Sequence, residues 1–343
     1  MSAPKDTAWQ AAAAAAVAEA FELGAPAGGL RPVSGAGAHL MWRLETTRGE
    51  WAVKSLNRSR EAWWMRDFQL ATTIEAQAYA RGVAMPRPLA PPLLDLPVLG
   101  EQTSFQVHEW SPGARLRPGL IGAAVREWVG TTLAALHRAP VPGPITPEMY
   151  EPEDPQEWEK WLTAAGDTSG LVAQVRSRLG DVAQAKAVVD RARDRFAAEL
   201  TPVLTHRDIR PDNVLIEEAG PVLLDWDGAG PEYAEWEVLR TALTFSTSEV
   251  EGLDHSAFRQ VVACYRRAGG FPVPPTEAVL AGWLRQQLGA AQWLLWRALG
   301  HRPLTPQERA ASATRTVDAL DELRRGLRDR EVWSALLRDL PIS

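Results

Sequence analysis

The sequence predicts an α+β chain in two lobes, a small antiparallel sheet followed by a mainly helical part, and three observations carry that expectation. Between residues 30 and 56 (LRPVSGAGAHLMWRLETTRGEWAVKSL) short β-rich runs alternate with turn residues. From residue 120 to the end most segments repeat their apolar residues with a helical period. Between the two parts, the stretch WSPGARLRPG at 110–119 is broken by proline and glycine, which let neither regular element continue. The division expected is therefore 1–110 for the first lobe and 111–343 for the second.

The alanine run near the amino terminus reads as a surface helix, since alanine is the best helix former and Glu19 and Glu22 interrupt it too early for a membrane span. Strands are expected at 30–33, 40–45 and 51–56, with a loop around Gly35 and Gly37 between the first two. A charged and aromatic segment at 57–70 is read as irregular, and a helix over 71–81 stops at Gly82. The proline-rich stretch 85–97 is read as connection and 105–109 as strand. In the second lobe helices are expected at 120–137, 158–162 and 171–200, then two short strands at 214–216 and 222–224 joined by a hairpin turn, then helix again from residue 235.

Composition narrows the class. The 343 residues carry 37 Lys and Arg against 43 Asp and Glu, a formal charge of −6, and the first 112 residues hold 10 basic and 11 acidic ones, so the excess lies in the larger part. No basic stripe suggests nucleic acid as a partner, and no run is long and apolar enough to suggest a membrane. The acidic surplus mildly favours a cationic partner. The single cysteine, Cys264, forms no internal disulfide, which fits a soluble cytoplasmic protein, monomer or homodimer.

The sharpest local signal is LTHRDIRPDNVLI at 204–216, in which His206 precedes Asp208 by two residues and Asn213 follows five later. Its companion is VLLDWDG, where Asp225 and Asp227 follow the second short strand. Both sets fall at the mouth of one hairpin, where side chains can converge on an ion without being buried unpaired. Phosphoryl transfer asks a protein for positioning and charge neutralisation. Asp208 suits the base beside an acceptor hydroxyl, and Asn213 and Asp225 offer hard oxygens for Mg²⁺. Asp227 is a second metal candidate whose alternative is to cap the turn at Gly228. Lys54, set among apolar strand residues in WAVKSL, can reach phosphates with Glu75 as its counter-charge.

Through this ordered set the chain resembles the aminoglycoside phosphotransferase family, small-molecule kinases of the protein-kinase-like fold, over roughly residues 30–300. The resemblance implies ATP or GTP in the cleft and Mg²⁺ between the lobes. It also implies that His206 and Arg207 support a catalytic loop whose base is Asp208, that Asn213, Asp225 and Asp227 bind metal, that Lys54 paired with Glu75 holds the phosphates under the Gly35–Gly37 loop, and that Val107, Glu109 and Trp110 form the hinge whose backbone meets the base. Three features depart from the family pattern. Arg207 stands where glycine is usual, His39 where a small polar residue is common, and Glu232, Glu235 and Glu237 replace a further aspartate at the start of a helix.

Only about ten residues separate Asp225 from the next helix, too few for a peptide-clamping segment, so a small hydroxyl acceptor is expected, an aminoglycoside-like or amino-alcohol compound. Trp158 and Trp161, near acidic residues at 151–159, are candidates for a cation-binding wall, as are Trp283, Trp293 and Trp296 in the last helical region. Drug inactivation and primary metabolism both remain open as roles. The alternative reading is a pseudokinase-like module that binds nucleotide without turnover.

Overall fold

The computed structural model describes residues 6–33, 39–56, 62–117, 120–147, 151–166, 170–196, 198–248, 252–273, 277–301, 304–329 and 335. The expected loop around Gly35 and Gly37 lies outside them.

Helix α1 (Thr7–Ala20) begins where the Asp6 carboxylate accepts the Trp9 backbone N–H at 2.8 Å, satisfying one of the amides that a helix start leaves without an internal partner. Strands β1 (Arg31–Pro32), β2 (Leu40–Thr46) and β3 (Gly49–Leu56) follow in antiparallel register. Alternation then divides the sheet. Trp42, Leu44, Trp51 and Val53 face α1 and close a core with Trp9, Ala13 and Val17, while Lys54 emerges on the opposite face.

Helix α2 (Ala62–Ala80) starts nine residues before the expected 71. Composition hid it: Trp64 and Phe68 read as an irregular aromatic run, yet they stack one turn apart at 5.2 Å between ring centres and so support the helix. Its end is as expected. Val83 N–H reaches the Ala78 carbonyl and Gly82 N–H the Tyr79 carbonyl, with Gly82 at φ +80°, a left-handed stop that glycine takes without strain.

Strands β4 (Leu94–Val98) and β5 (Glu101–Glu109) complete a five-stranded sheet in the order β1-β2-β3-β5-β4. β4 replaces an expected connection. Its Pro97 was the misleading signal, and the strand tolerates it because it lies at the sheet edge.

The chain then enters a second sheet with β6 (Ala114–Arg115). Next come α3 (Ala123–His137), α4 (Pro155–Ala165), α5 (Leu171–Arg176) and α6 (Leu179–Phe196). The helix expected over 171–200 is thus two: Arg178 turns its guanidinium back onto the Gln174 carbonyl at 2.9 Å, ending α5. Four short strands frame the candidate site. They are β7 (Pro202–Thr205), the hairpin β8 (Val214–Glu217) with β9 (Gly220–Leu223), and β10 (Gly230–Tyr233). β7 pairs with β10, and β8 pairs with both β6 and β9. Neither β7 nor β10 was expected, because such four-residue runs, one of them opening on Gly-Pro, read as loop.

Helix α7 (Ala234–Thr244) is buried from Ala234 to Leu243; α8 (His255–Arg267) and α9 (Glu277–Ala298) pack on it, and α10 (Pro306–Arg328) lies against α9, α6 and α5. Two cores result. One joins α3, α7, α8 and the hairpin with Leu70, Ile74 and Ala78 of α2; the other joins α4–α6, α9 and α10 with Trp236 of α7. Among the described residues no helix is long and apolar enough to cross a membrane.

Candidate active site

The 205–213 loop leaves β7 and returns into β8, so its ends are fixed by two sheets. His206 is fully buried: its Nε2–H donates to the Leu224 carbonyl at 2.9 Å, its Nδ1 accepts the Asp208 backbone N–H at 3.2 Å, and its ring packs edge-on to Trp226. One side chain therefore ties the loop to the residue preceding Asp225. Arg207 adopts φ +67°, a left-handed backbone costly for a residue with a Cβ, and it is gripped on both sides. Its N–H donates to Glu237 Oε1 at 2.7 Å, and its carbonyl accepts from the Arg240 guanidinium.

That grip explains the charged residues in and beside the buried helix α7. A buried charge needs partners, and each has them. Glu235 accepts from Thr201 N–H, Glu232 lies between Arg285 and Arg240, and Glu237 also accepts from His137 Nε2 at 2.9 Å. Burial by itself would raise the Glu237 carboxyl; the His137 hydrogen bond and the Arg240 charge overcome it and bring it down to about 2. Glu237 is thus one of the three glutamates that stand in for the expected aspartate, and it is the one that grips the loop.

Asp208 projects from the strained loop with its side chain part-exposed. Asn213 Nδ2 donates to both the Asp208 carbonyl and Asp208 Oδ2, each at 2.9 Å, which fixes the carboxylate and leaves the Asn213 amide oxygen to face elsewhere. The Leu224 N–H bonds the Asn213 carbonyl at 2.8 Å, so Asn213 and Asp225 are brought side by side by the hairpin. Asp225 is itself left-handed at φ +64°.

Lys54 crosses from the first sheet to this hairpin. Its Nζ lies 3.2 Å from Asp225 Oδ1 and 2.7 Å from Asp227 Oδ2, and His39 Nε2 stands 3.5 Å from the same Asp227 oxygen. Burial acts to lower the Lys54 ammonium, but the two carboxylates outweigh it and hold it above its ordinary value. The same balance keeps Asp227 below the usual carboxylate range despite its burial, through Lys54 and His39.

Two expectations are corrected here. Glu75 is buried but does not serve Lys54: it receives His108 Nε2 at 2.7 Å and Gln106 Nε2 at 3.4 Å. His108 and Gln106 lie on β5 beside Ala52 and Lys54 of β3 and share their face, so they are nearer claimants for the carboxylate, and Lys54 has two of its own. The hinge is also narrower than expected. The Val107 carbonyl accepts from Leu89 N–H, Glu109 N–H donates to the Arg87 carbonyl, and Trp110 N–H donates to the Glu50 carbonyl, so these groups are committed to the fold. These bonds leave the Glu109 and Trp110 carbonyls and the backbone from Ser111 onward to meet a nucleotide base.

The expected tryptophan set is brought together only in part: Trp161 and Trp296 both meet the His301 ring. Trp158 is wholly buried in the second helical core, out of reach of any ligand, and Trp283 packs between helices. Trp293 and Trp296 stack on each other, and Trp296 stacks on His301, at the far end of α9 from Arg285. His108, His137 and Arg240 were not singled out from sequence. A histidine on an apolar helix or strand face carries no spacing signal, and only tertiary contact shows its use.

Asp225 and Asp227 meet at Lys54 and the hairpin sets Asn213 beside Asp225, while among the described residues no group of three His, Cys, Asp or Glu side chains is placed to hold a metal alone. Such a set fits an ion that takes its remaining ligands from water and phosphate.

This arrangement coincides with a sequence match. Residues 29–271 match the model of the phosphotransferase enzyme family, APH. The chain belongs to that family. No curated protein sequence matches it. Among solved structures, a choline/ethanolamine kinase family protein from Mesorhizobium loti superposes with TM-score 0.61 at 17% identity, covering 95% of this chain and 98% of that one. A spectinomycin phosphotransferase in complex with ADP and spectinomycin gives 0.60 at 12% identity, covering 87% and 93%. A microcompartment-associated aminopropanol kinase gives 0.56 at 14%, covering 92% and 94%. At these identities the likeness speaks for the fold, a protein-kinase-like pair of lobes. The phosphotransferase family match spans Lys54, Asp208, Asn213, Asp225 and Asp227.

Proposed function

We propose that this phosphotransferase moves the γ-phosphoryl group of ATP, with Mg²⁺, onto a hydroxyl of a small amine-bearing molecule. The observation that carries the reading is the meeting of Lys54, Asp225 and Asp227 from two lobes beside an Asp208 carboxylate already fixed by Asn213.

In this reading Asp208 orients the acceptor hydroxyl and takes its proton as the oxygen bonds to phosphorus, while the bond to ADP breaks and the proton later passes to solvent. Lys54 turns from the two carboxylates to the phosphates. Asn213, Asp225 and Asp227 would hold Mg²⁺, which when bound neutralises phosphate charge. The Glu109 carbonyl and the Ser111 backbone receive the base. An amine-bearing acceptor is supported by the chain's charge of −6 and by similar structures named for choline, ethanolamine, aminopropanol and spectinomycin. A buried lone thiol, Cys264, is consistent with a cytoplasmic setting.

The test is labelled ATP with Mg²⁺ and a panel of amino alcohols, amino sugars and neutral sugars, together with a metabolite extract. Product should form with an amine-bearing acceptor, and D208N should lower turnover by about 10²–10⁴-fold while nucleotide still shifts the melting temperature. Nucleotide binding with no transfer to anything in the extract would overturn the enzymatic reading, and a preference for neutral acceptors would overturn the amine.

A further inference from the structure

We propose that Tyr265, on α8, is a positioning residue for the catalytic loop, acting through His137 and Glu237 on the amide of Arg207. Its kinetic consequence rests on the phosphotransferase reading; its structural consequence does not.

Four hydrogen bonds run in line through the first helical core. Phe271 N–H donates to Tyr265 Oη at 3.0 Å, Tyr265 Oη meets His137 Nδ1 at 2.8 Å, His137 Nε2 meets Glu237 Oε2 at 2.9 Å, and Arg207 N–H reaches Glu237 Oε1 at 2.7 Å. The side chains of His137 and Glu237 are fully buried, so no water substitutes for a lost partner. Proton accounting then sets the direction. The Tyr265 oxygen accepts from Phe271, and burial pushes its phenol above the ordinary range, so it keeps its hydrogen. His137 Nδ1 is the acceptor for that hydrogen, which places the imidazole N–H at Nε2, facing Glu237, and leaves no donor in the line without an acceptor. Gly130 makes the meeting of α3 and α8 possible, since a Cβ there would lie 2.7 Å from the Tyr265 backbone nitrogen.

What the line holds is a strained peptide. Arg207 at φ +67° would relax toward negative φ if its amide were released, and Asp208 is the next residue. Tyr265 therefore touches no reacting atom, yet its hydroxyl fixes the tautomer that fixes the carboxylate that fixes the loop.

The experiment uses Y265F, which removes one hydroxyl and keeps the ring. Exchange of the Arg207 amide, followed by NMR on selectively labelled arginine, should quicken about 10-fold, and kcat should fall about 10-fold with KM for nucleotide and acceptor little changed, the size of one lost buried hydrogen bond. In an R207G background the left-handed backbone needs no holding, so Y265F should then cost less than about 2-fold in kcat. A Tyr265 that only stabilises the fold would lower the melting temperature alike in both backgrounds without changing Arg207 exchange. That result, or an equal loss of kcat in both, overturns the proposal. Should Y265F fail to fold, H137Q, which keeps an N–H for Glu237 but breaks the link to Tyr265, carries the same readouts. If the wild-type chain phosphorylates nothing, the functional reading falls and the exchange measurement still decides the relay.

Discussion

Glu237 has no solvent to fall back on, and its acidity is therefore a statement about stability. Its folded value of about 2 lies below the ordinary 4.5, so its contribution is fully present above about pH 4.5 and is lost as pH falls toward 2. The size is about 3 kcal/mol. Urea unfolding followed from pH 7 to pH 3 should show the wild type losing stability steeply below 4.5 and E237Q losing less, since its amide does not titrate; parallel slopes would refute this. At this scale the sequence was readable wherever the chemistry is local. His206, Asp208 and Asn213 lie within eight residues, and their spacing alone put them in one loop. Lys54 was singled out as a candidate, but its partners lie 171 and 173 positions away, and a choice among Glu75, Asp225 and Asp227 is made only when the lobes meet.

At the scale of elements, one close contact sets the packing of the last two helices. A Cβ on Gly326 would fall 1.9 Å from the Trp283 ring, so α10 lies flush against α9 only because that side chain is missing. G326A should lower stability by about 1–3 kcal/mol, read as a lower melting temperature, and W283L in the same background should recover part of it. A neutral G326A would mean the two helices are free to part. Elements with strong periodicity or caps were legible, among them α1, β2, β3 and α3. Those that were missed share a cause: β4, β7 and β10 are short strands stabilised by neighbours and not by their own composition, and the first turns of α2 depend on a Trp64–Phe68 stack that a composition count does not register.

Across the whole molecule, the two lobes are joined by more than a linker. Leu70, Ala71, Ile74 and Ala78 of α2 share one buried cluster with Val129, Leu133, Val214 and Trp226, residues of the second lobe, so a helix set between strands of the first sheet in the chain completes the core of the other half. Residues 1–112 expressed alone should then show no cooperative melt, whereas a sharp sigmoidal transition would show that the first lobe stands by itself. The two-lobed plan was legible from the change from strand-rich to helical pattern, but this sharing was not, because burial of one helix in a distant part of the chain leaves no mark on its own sequence. It also limits how the molecule can flex. A strut footed in the far half cannot swing with the sheet, so any parting of the two lobes has to bend where α2 joins the sheet and not at its foot beside Trp226.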